Sequence, residues 1–113
     1  MPIEQWKPVR GYEGSYETSS AGRVRSVGRF LKGKNNSARH VKSQVLSPRI
    51  RDNGTPAVNL WRGNTYVQVA VKKIVLEAFD RPQPHGMEPS NVNGNLGDNR
   101  LQNLRWRLKP QRR

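Results

Sequence analysis

A chain of 113 residues holds one compact domain or two small lobes, and with 33% apolar residues and a mean hydropathy of −0.92 its core is modest. No stretch approaches the roughly 20 apolar residues that span a bilayer, the start lacks a signal-peptide apolar region, and no cysteine is present for disulfides, thiolate zinc sites or nucleophilic catalysis, all of which fits a cytosolic protein. Twenty-one Lys and Arg against eight Asp and Glu give +13, so a polyanion is the expected partner: each phosphate neutralised releases condensed counterions.

A ribosomal-type protein and a domain that coats an anionic membrane share that charge, but no basic amphipathic helix with a broad apolar face supports the membrane. The charge is also uneven. Between Thr18 and Arg51 stand nine basic residues (Arg23, Arg25, Arg29, Lys32, Lys34, Arg39, Lys42, Arg49 and Arg51) and no acid. A second cluster holds Arg100, Arg105, Arg107, Lys109, Arg112 and Arg113. Solvated faces mix signs, so these runs read as contact surfaces.

In chain order, Trp6-Lys7-Pro8-Val9-Arg10-Gly11-Tyr12-Glu13-Gly14-Ser15-Tyr16 leads into Gly22-Arg23-Val24-Arg25-Ser26, with Gly11 and Gly14 permitting tight turns. Arg23 to Ser26 alternates, which predicts a strand with both arginines on one face toward phosphate and Val24 toward the core. This W-K-x-V-x-G-Y-E-G-x-Y string resembles the N-terminal module that accompanies HNH homing endonucleases. Residues 33–43 are polar, basic and aperiodic, which predicts a loop that is mobile until it meets nucleic acid. Gln44–Arg51, Ala57–Arg62 and Thr65–Val71 read as strands, with Asn53-Gly54 and Gly63-Asn64 as hairpin turns. Lys72–Phe79 reads as a helix with Ile74, Val75, Ala78 and Phe79 on one side, before a proline-broken loop. Trp6, Tyr12, Trp61, Tyr66, Phe79 and Trp106 are the expected core anchors.

The segment Ser90 to Trp106 resembles the core of the HNH family, V-[DN]-H-x-D-G-N-x-x-N-N-x-x-x-N-L-x-W. Gly94-Asn95, Asn99, Asn103-Leu104 and Trp106 fall in register, but Ser90 replaces a metal ligand, Asn91 replaces the general-base His, and Asn93 stands at the motif's Asp. The family's helix after the Trp carries a second Asn or His ligand, whereas Arg107–Arg113 contains no Asn, His, Asp or Glu. An amide accepts no proton from water near neutral pH, and a neutral hydroxyl binds Mg²⁺ poorly without a carboxylate. His40 and His85 lie in expected loops without ligand spacing. Asn91, Asn93, Asn95, Asn99 and Asn103 read as turn-forming and hydrogen-bonding residues, and Asp98 as a cap for a helical turn over Asn99–Leu104. The family pattern H-R-L-V-x-x-x-F also puts Lys72 at a His position beside the former active site, and Lys73 at an Arg.

The resemblance implies an α+β protein: an N-terminal antiparallel β module (1–56, with the mobile loop 33–43), a degenerate ββα-metal module (57–106) and a frayed basic tail (107–113). It implies a phage-encoded, nuclease-derived protein of the bacterial cytoplasm that binds nucleic acid, foremost duplex DNA, without a cofactor and without cleavage. The expected contacts are Arg23, Arg25, Arg29, Lys32, Lys34, Arg39, Lys42, Arg49, Arg51, Lys72, Lys73, Arg105 and Arg107. Two alternatives stay open: a nicking endonuclease holding a divalent metal in an unusual ligand set, and an adaptor for structured RNA or for a phage or host nucleoprotein machine.

Overall fold

The computed structural model describes residues 3–32 and 38–110. β1 (Trp6–Pro8), β2 (Tyr16–Ser19) and β3 (Val24–Ser26) form an antiparallel meander. β2 turns Tyr16 and Thr18 inward, and its last residue, Ser19, is buried too. The buried hydroxyls are satisfied locally: Thr18 Oγ1 donates to the Arg23 carbonyl at 2.9 Å, and Ser19 Oγ accepts from the Arg23 amide at 3.1 Å. β4 (Arg29–Lys32) pairs with β5 (Ala38–Val41) as a separate hairpin. The expected loop over 33–43 is therefore corrected at 38–41, where the ladder to β4 supplies order that side-chain periodicity does not signal; residues 33–37 lie outside the described residues. His40 accordingly sits on a strand, not in a loop.

Gln44–Arg51 is not one strand. β6 (Gln44–Val45) completes the first sheet beside β3, and β7 (Arg49–Ile50) opens a second one. Pro48 sits between them and cannot donate to a ladder, so the chain changes sheets there. β7, β8 (Pro56–Arg62) and β9 (Thr65–Ala70) form a three-stranded antiparallel sheet with β9 at one open edge. α1 (Val71–Phe79) follows directly and packs Val71, Ile74, Val75 and Leu76 against both sheets. β10 (Met87–Asn91) and β11 (Leu104–Leu108) make the last hairpin, with a 3₁₀ turn at Leu101–Asn103 entering β11. Arg107 and Leu108 thus belong to β11, and the Lys109 amide donates to the Gly86 carbonyl, so the expected frayed tail is corrected at 107–109; residues 111–113 lie outside the described residues. Among the described residues no helix follows β11.

Among the described residues one core joins the first two sheets, α1 and the last hairpin. Val9, Tyr16 and Val24 meet Val58, Leu60, the buried side of α1 and Leu104. Leu60, 2% exposed, is worth about 1.5–3 kcal/mol by burial alone. The Tyr16 hydroxyl accepts from the Trp61 amide at 3.1 Å, joining the two sheets. A second joint forms at Gly22, whose φ is +91°. A Cβ on Gly22 would lie 2.6 Å from the Asn99 carbonyl oxygen, so only glycine allows this close approach to the β10–β11 loop. Beside it the Leu101 amide donates to the Ser20 carbonyl at 2.9 Å.

The molecule measures 62 × 37 × 24 Å with a radius of gyration of 16.0 Å. A compact chain of this size has about 13 Å. It is a long, thin slab, with surface to spare for contact along an extended partner.

Candidate nucleic-acid interface

In the β10–β11 hairpin, Ser90 lies opposite Arg105 and Glu88 opposite Arg107, while Asn91 lies opposite Leu104 and Pro89 opposite Trp106. Side chains alternate, so Glu88, Ser90, Arg105 and Arg107 share one face. Asn91 is 7% exposed, and its amide nitrogen donates to the Asp98 carbonyl and to Asn99 Oδ1, each at 2.9 Å. Its Oδ1 is buried without a partner. Asn103 Nδ2 donates to Asn93 Oδ1 at 3.0 Å and to the Asp98 carbonyl at 2.8 Å, and Asn103 Oδ1 accepts from the Asn93 amide. The asparagines lock the loop between the strands. Asp98 does not cap the turn as expected; Arg100 occupies the cap position without a side-chain bond, while Asp98 grips the Arg100 guanidinium at 2.8 and 2.9 Å and accepts from Asn93. The Arg100 hydrogen bonds hold its carboxyl down at about 2.

The expected contact residues fall into different environments. Arg23 and Arg25 do flank Val24 on one side of β3, but their charges are spent. Arg23 pairs with Glu4, and Arg25 reaches Glu17 on β2 at 2.8 and 3.0 Å. Both guanidiniums lie over the Trp6 ring, Arg25 at 3.8 Å and Arg23 at 5.3 Å from its centre. The Arg23 hydrogen bond draws the Glu4 carboxyl down to about 2. Arg29, Lys32 and Arg39 lie on β4 and β5, but their side chains and all of Lys34 lie outside the described residues. Lys42 and Arg49 are exposed. Arg51 reaches from the end of β7 to Gln68 on β9, bonding its Oε1 at 3.0 Å and its carbonyl at 3.1 Å. Lys72 and Lys73 stand half-buried in the first turn of α1.

The β7–β9 sheet adds residues that the sequence reading placed elsewhere. Trp61 and Tyr66 are not core anchors: they are 49% and 54% exposed, and their rings pack against each other, 4.8 Å between centres and tilted by 46°. Pairing across β8 and β9 sets Asn59 beside Gln68 and Trp61 beside Tyr66 on one face, with Arg49 in line through Ala57. This face presents amides, aromatics and a guanidinium, the groups that read base edges and stack on bases. The Gly63-Asn64 turn fixes that register, so the pairing was available from the sequence once the turn was placed.

The motif model NUMOD4 matches residues 4–61, just over half of the 113. The chain belongs to the NUMOD4 motif family. A curated relative, DNA endonuclease I-HmuI of Bacillus phage SP01, is 28% identical over 102 residues, which make up 90% of this chain and 51% of that protein. The solved structure reported as "DNA binding and cleavage by the HNH homing endonuclease I-HmuI" matches with a TM-score of 0.73 at 27% identity, covering 92% of this chain and 52% of that one. The α+β architecture of antiparallel sheets with one helix is thus the HNH homing-endonuclease fold. This NUMOD4 chain spans about half the length of the relative it matches.

A divalent metal is implied by that kinship, and the residues present do not fit one. Glu88, the carboxylate on the hairpin's outer face, is engaged by Arg107 at 3.0 and 3.3 Å. Ser90 offers a neutral hydroxyl, and Asn91 Oδ1 has no accessible surface. Among the described residues no three His, Cys, Asp or Glu come together.

Proposed function

We propose that this chain binds duplex DNA and leaves it uncut. The observation that carries the reading is Asn91. At the general-base position it presents a buried amide whose nitrogen is committed to the Asp98 carbonyl and to Asn99, and such a group takes no proton from water. Binding is supported by the relative whose structure concerns DNA binding and cleavage, by the +13 charge, and by the sheet face of Arg49, Asn59, Trp61, Tyr66 and Gln68. The 62 Å length matches about 18 base pairs at 3.4 Å each. Arg49, Arg51, Lys72, Lys73 and Arg105 are the cations we assign to contact, with Arg23, Arg25 and Arg107 contributing less because carboxylates already neutralise them. The phage relative supports action in an infected bacterial cytoplasm.

The test has two parts. Incubation with supercoiled plasmid in Mg²⁺ or Mn²⁺ should leave the plasmid intact; nicking that disappears in Asn91→Ala or Asn93→Ala would refute inactivity. Titration with duplex at low salt should give binding whose log K falls with log salt at a slope of roughly −5, for about six phosphates. A slope of about −2 or shallower, or tighter binding of structured RNA at matched salt, would favour the adaptor reading instead.

A further inference from the structure

We infer that the cleft between the open edge of β9, the first turn of α1 and β10 is a phosphate site that works by protein charge alone, with Lys72, Lys73 and Arg51 taking a backbone phosphate and no divalent ion taking part. This rests on the DNA-binding reading and adds where a phosphate sits and what neutralises it.

The cleft encloses about 450 Å³ and is lined by Arg51, Gln68, Lys72, Lys73, Gln83 and Glu88, among others. Its charge is lopsided. Among the described residues Glu88 is the lone carboxylate on its walls, and Arg107 already holds that group. Arg51 is positioned by an amide and a carbonyl oxygen of Gln68, which orient the guanidinium without cancelling its charge. Lys72 is half-buried, with Arg51 and Arg107 as repelling neighbours and Glu88 as its attracting one, and burial drives its pKa below the ordinary lysine value. An anion in the cleft would relieve that cost; a divalent cation would worsen it.

The placement of the two lysines points the same way. The first turn of a helix disfavours cations because of the helix dipole, and α1 has no acid there and no side-chain cap. The charges of Lys72 and Lys73 therefore gain nothing from the dipole of the helix that holds them. They face a cleft continuous with the sheet surface through Arg51 and Gln68, which line both it and the neighbouring depression at Arg49. A strand of backbone crossing the sheet would run into the cleft.

The test uses the full chain and a fluorescent 25-base-pair duplex. At constant ionic strength, affinity in EDTA and in Mg²⁺ should agree within twofold; any greater tightening by Mg²⁺ would overturn the metal-free site. Lys72→Gln and Arg51→Gln should each weaken binding roughly tenfold and reduce the magnitude of the salt slope by about one, while Lys72→Arg keeps both near wild type. The slope separates a lost phosphate contact from a folding defect, and the arginine variant controls for packing. Wild-type affinity and slope in Lys72→Gln would overturn the cleft and leave DNA binding standing. No duplex binding by the wild-type chain at low salt would overturn both.

Discussion

Two basic regions of this molecule look alike in sequence and differ in kind once folded. Arg23 and Arg25 on β3 meet Glu4 and Glu17 and lie over Trp6. Arg51, Lys72 and Lys73 meet amides, one another and a carboxylate already taken by Arg107. The first group is a platform in which charge is neutralised to fasten a strand; the second is charge held in reserve. Basic residues are therefore not interchangeable evidence of binding. What counts is whether the fold brings a carboxylate to each of them.

Four experiments would break or sharpen that contrast. The largest effect should come from Trp6→Ala, which removes the ring under both guanidiniums and costs about 2–3 kcal/mol in a urea melt, below the fully buried case because Trp6 is half-buried. Duplex affinity should move less than threefold; a large affinity loss without a stability loss would make the platform an interface. Trp61→Ala should do the reverse. Losing its contact with Tyr66 costs about 1 kcal/mol of stability, and duplex affinity should drop roughly tenfold.

Next come two pH effects. Glu4 has its carboxyl lowered to about 2, so the folded state binds fewer protons than the unfolded chain between pH 4.5 and 2. Its contribution is present above that window and is lost as pH falls through it; Glu4→Gln should flatten this part of the acid stability curve. Lys72 works oppositely at the alkaline end. Its folded pKa lies below 10.5, so stability rises slightly as pH climbs through that range, while duplex affinity, which needs the ammonium, falls. The affinity loss should set in at lower pH than for an exposed lysine and vanish in Lys72→Arg. An alkaline affinity profile the same in wild type and Lys72→Arg would place Lys72 away from phosphate.

Much of the fold was legible because local signals decided it. Asn53-Gly54 and Gly63-Asn64 set two turns, Ile74 and Val75 marked the buried side of α1, and the asparagines of the last hairpin sit in a hydrogen-bonded loop. Some of the failures depend on residues far apart in the chain. Glu4 and Arg23 are nineteen positions apart, so their pairing appears in no window. Size assigns Trp61 and Tyr66 to the core, yet large aromatics also cover surface when they pack against each other. Val67 alternates as a half-buried strand residue should, but it sits on the edge strand β9, opposite buried Leu60, and is 58% exposed. Of the candidate site, the missing chemistry at Ser90 and Asn91 was readable from residue type; the cleft that gathers Arg51 with Lys72 and Lys73 was not.

The contact at Gly22 carries a consequence for how such a chain can change. The turn after β2 touches the loop before β11 backbone to backbone, with no side chain between them to absorb a mismatch. Families built from modules diversify by exchanging them, yet here the two halves share a core and also meet backbone to backbone at this turn. A recombinant that brought in a new first half would need glycine at this turn, or the hairpin would be pushed off its seat. Gly22 and the Asn99 backbone thus form a matched seam, which limits which shuffled descendants can fold.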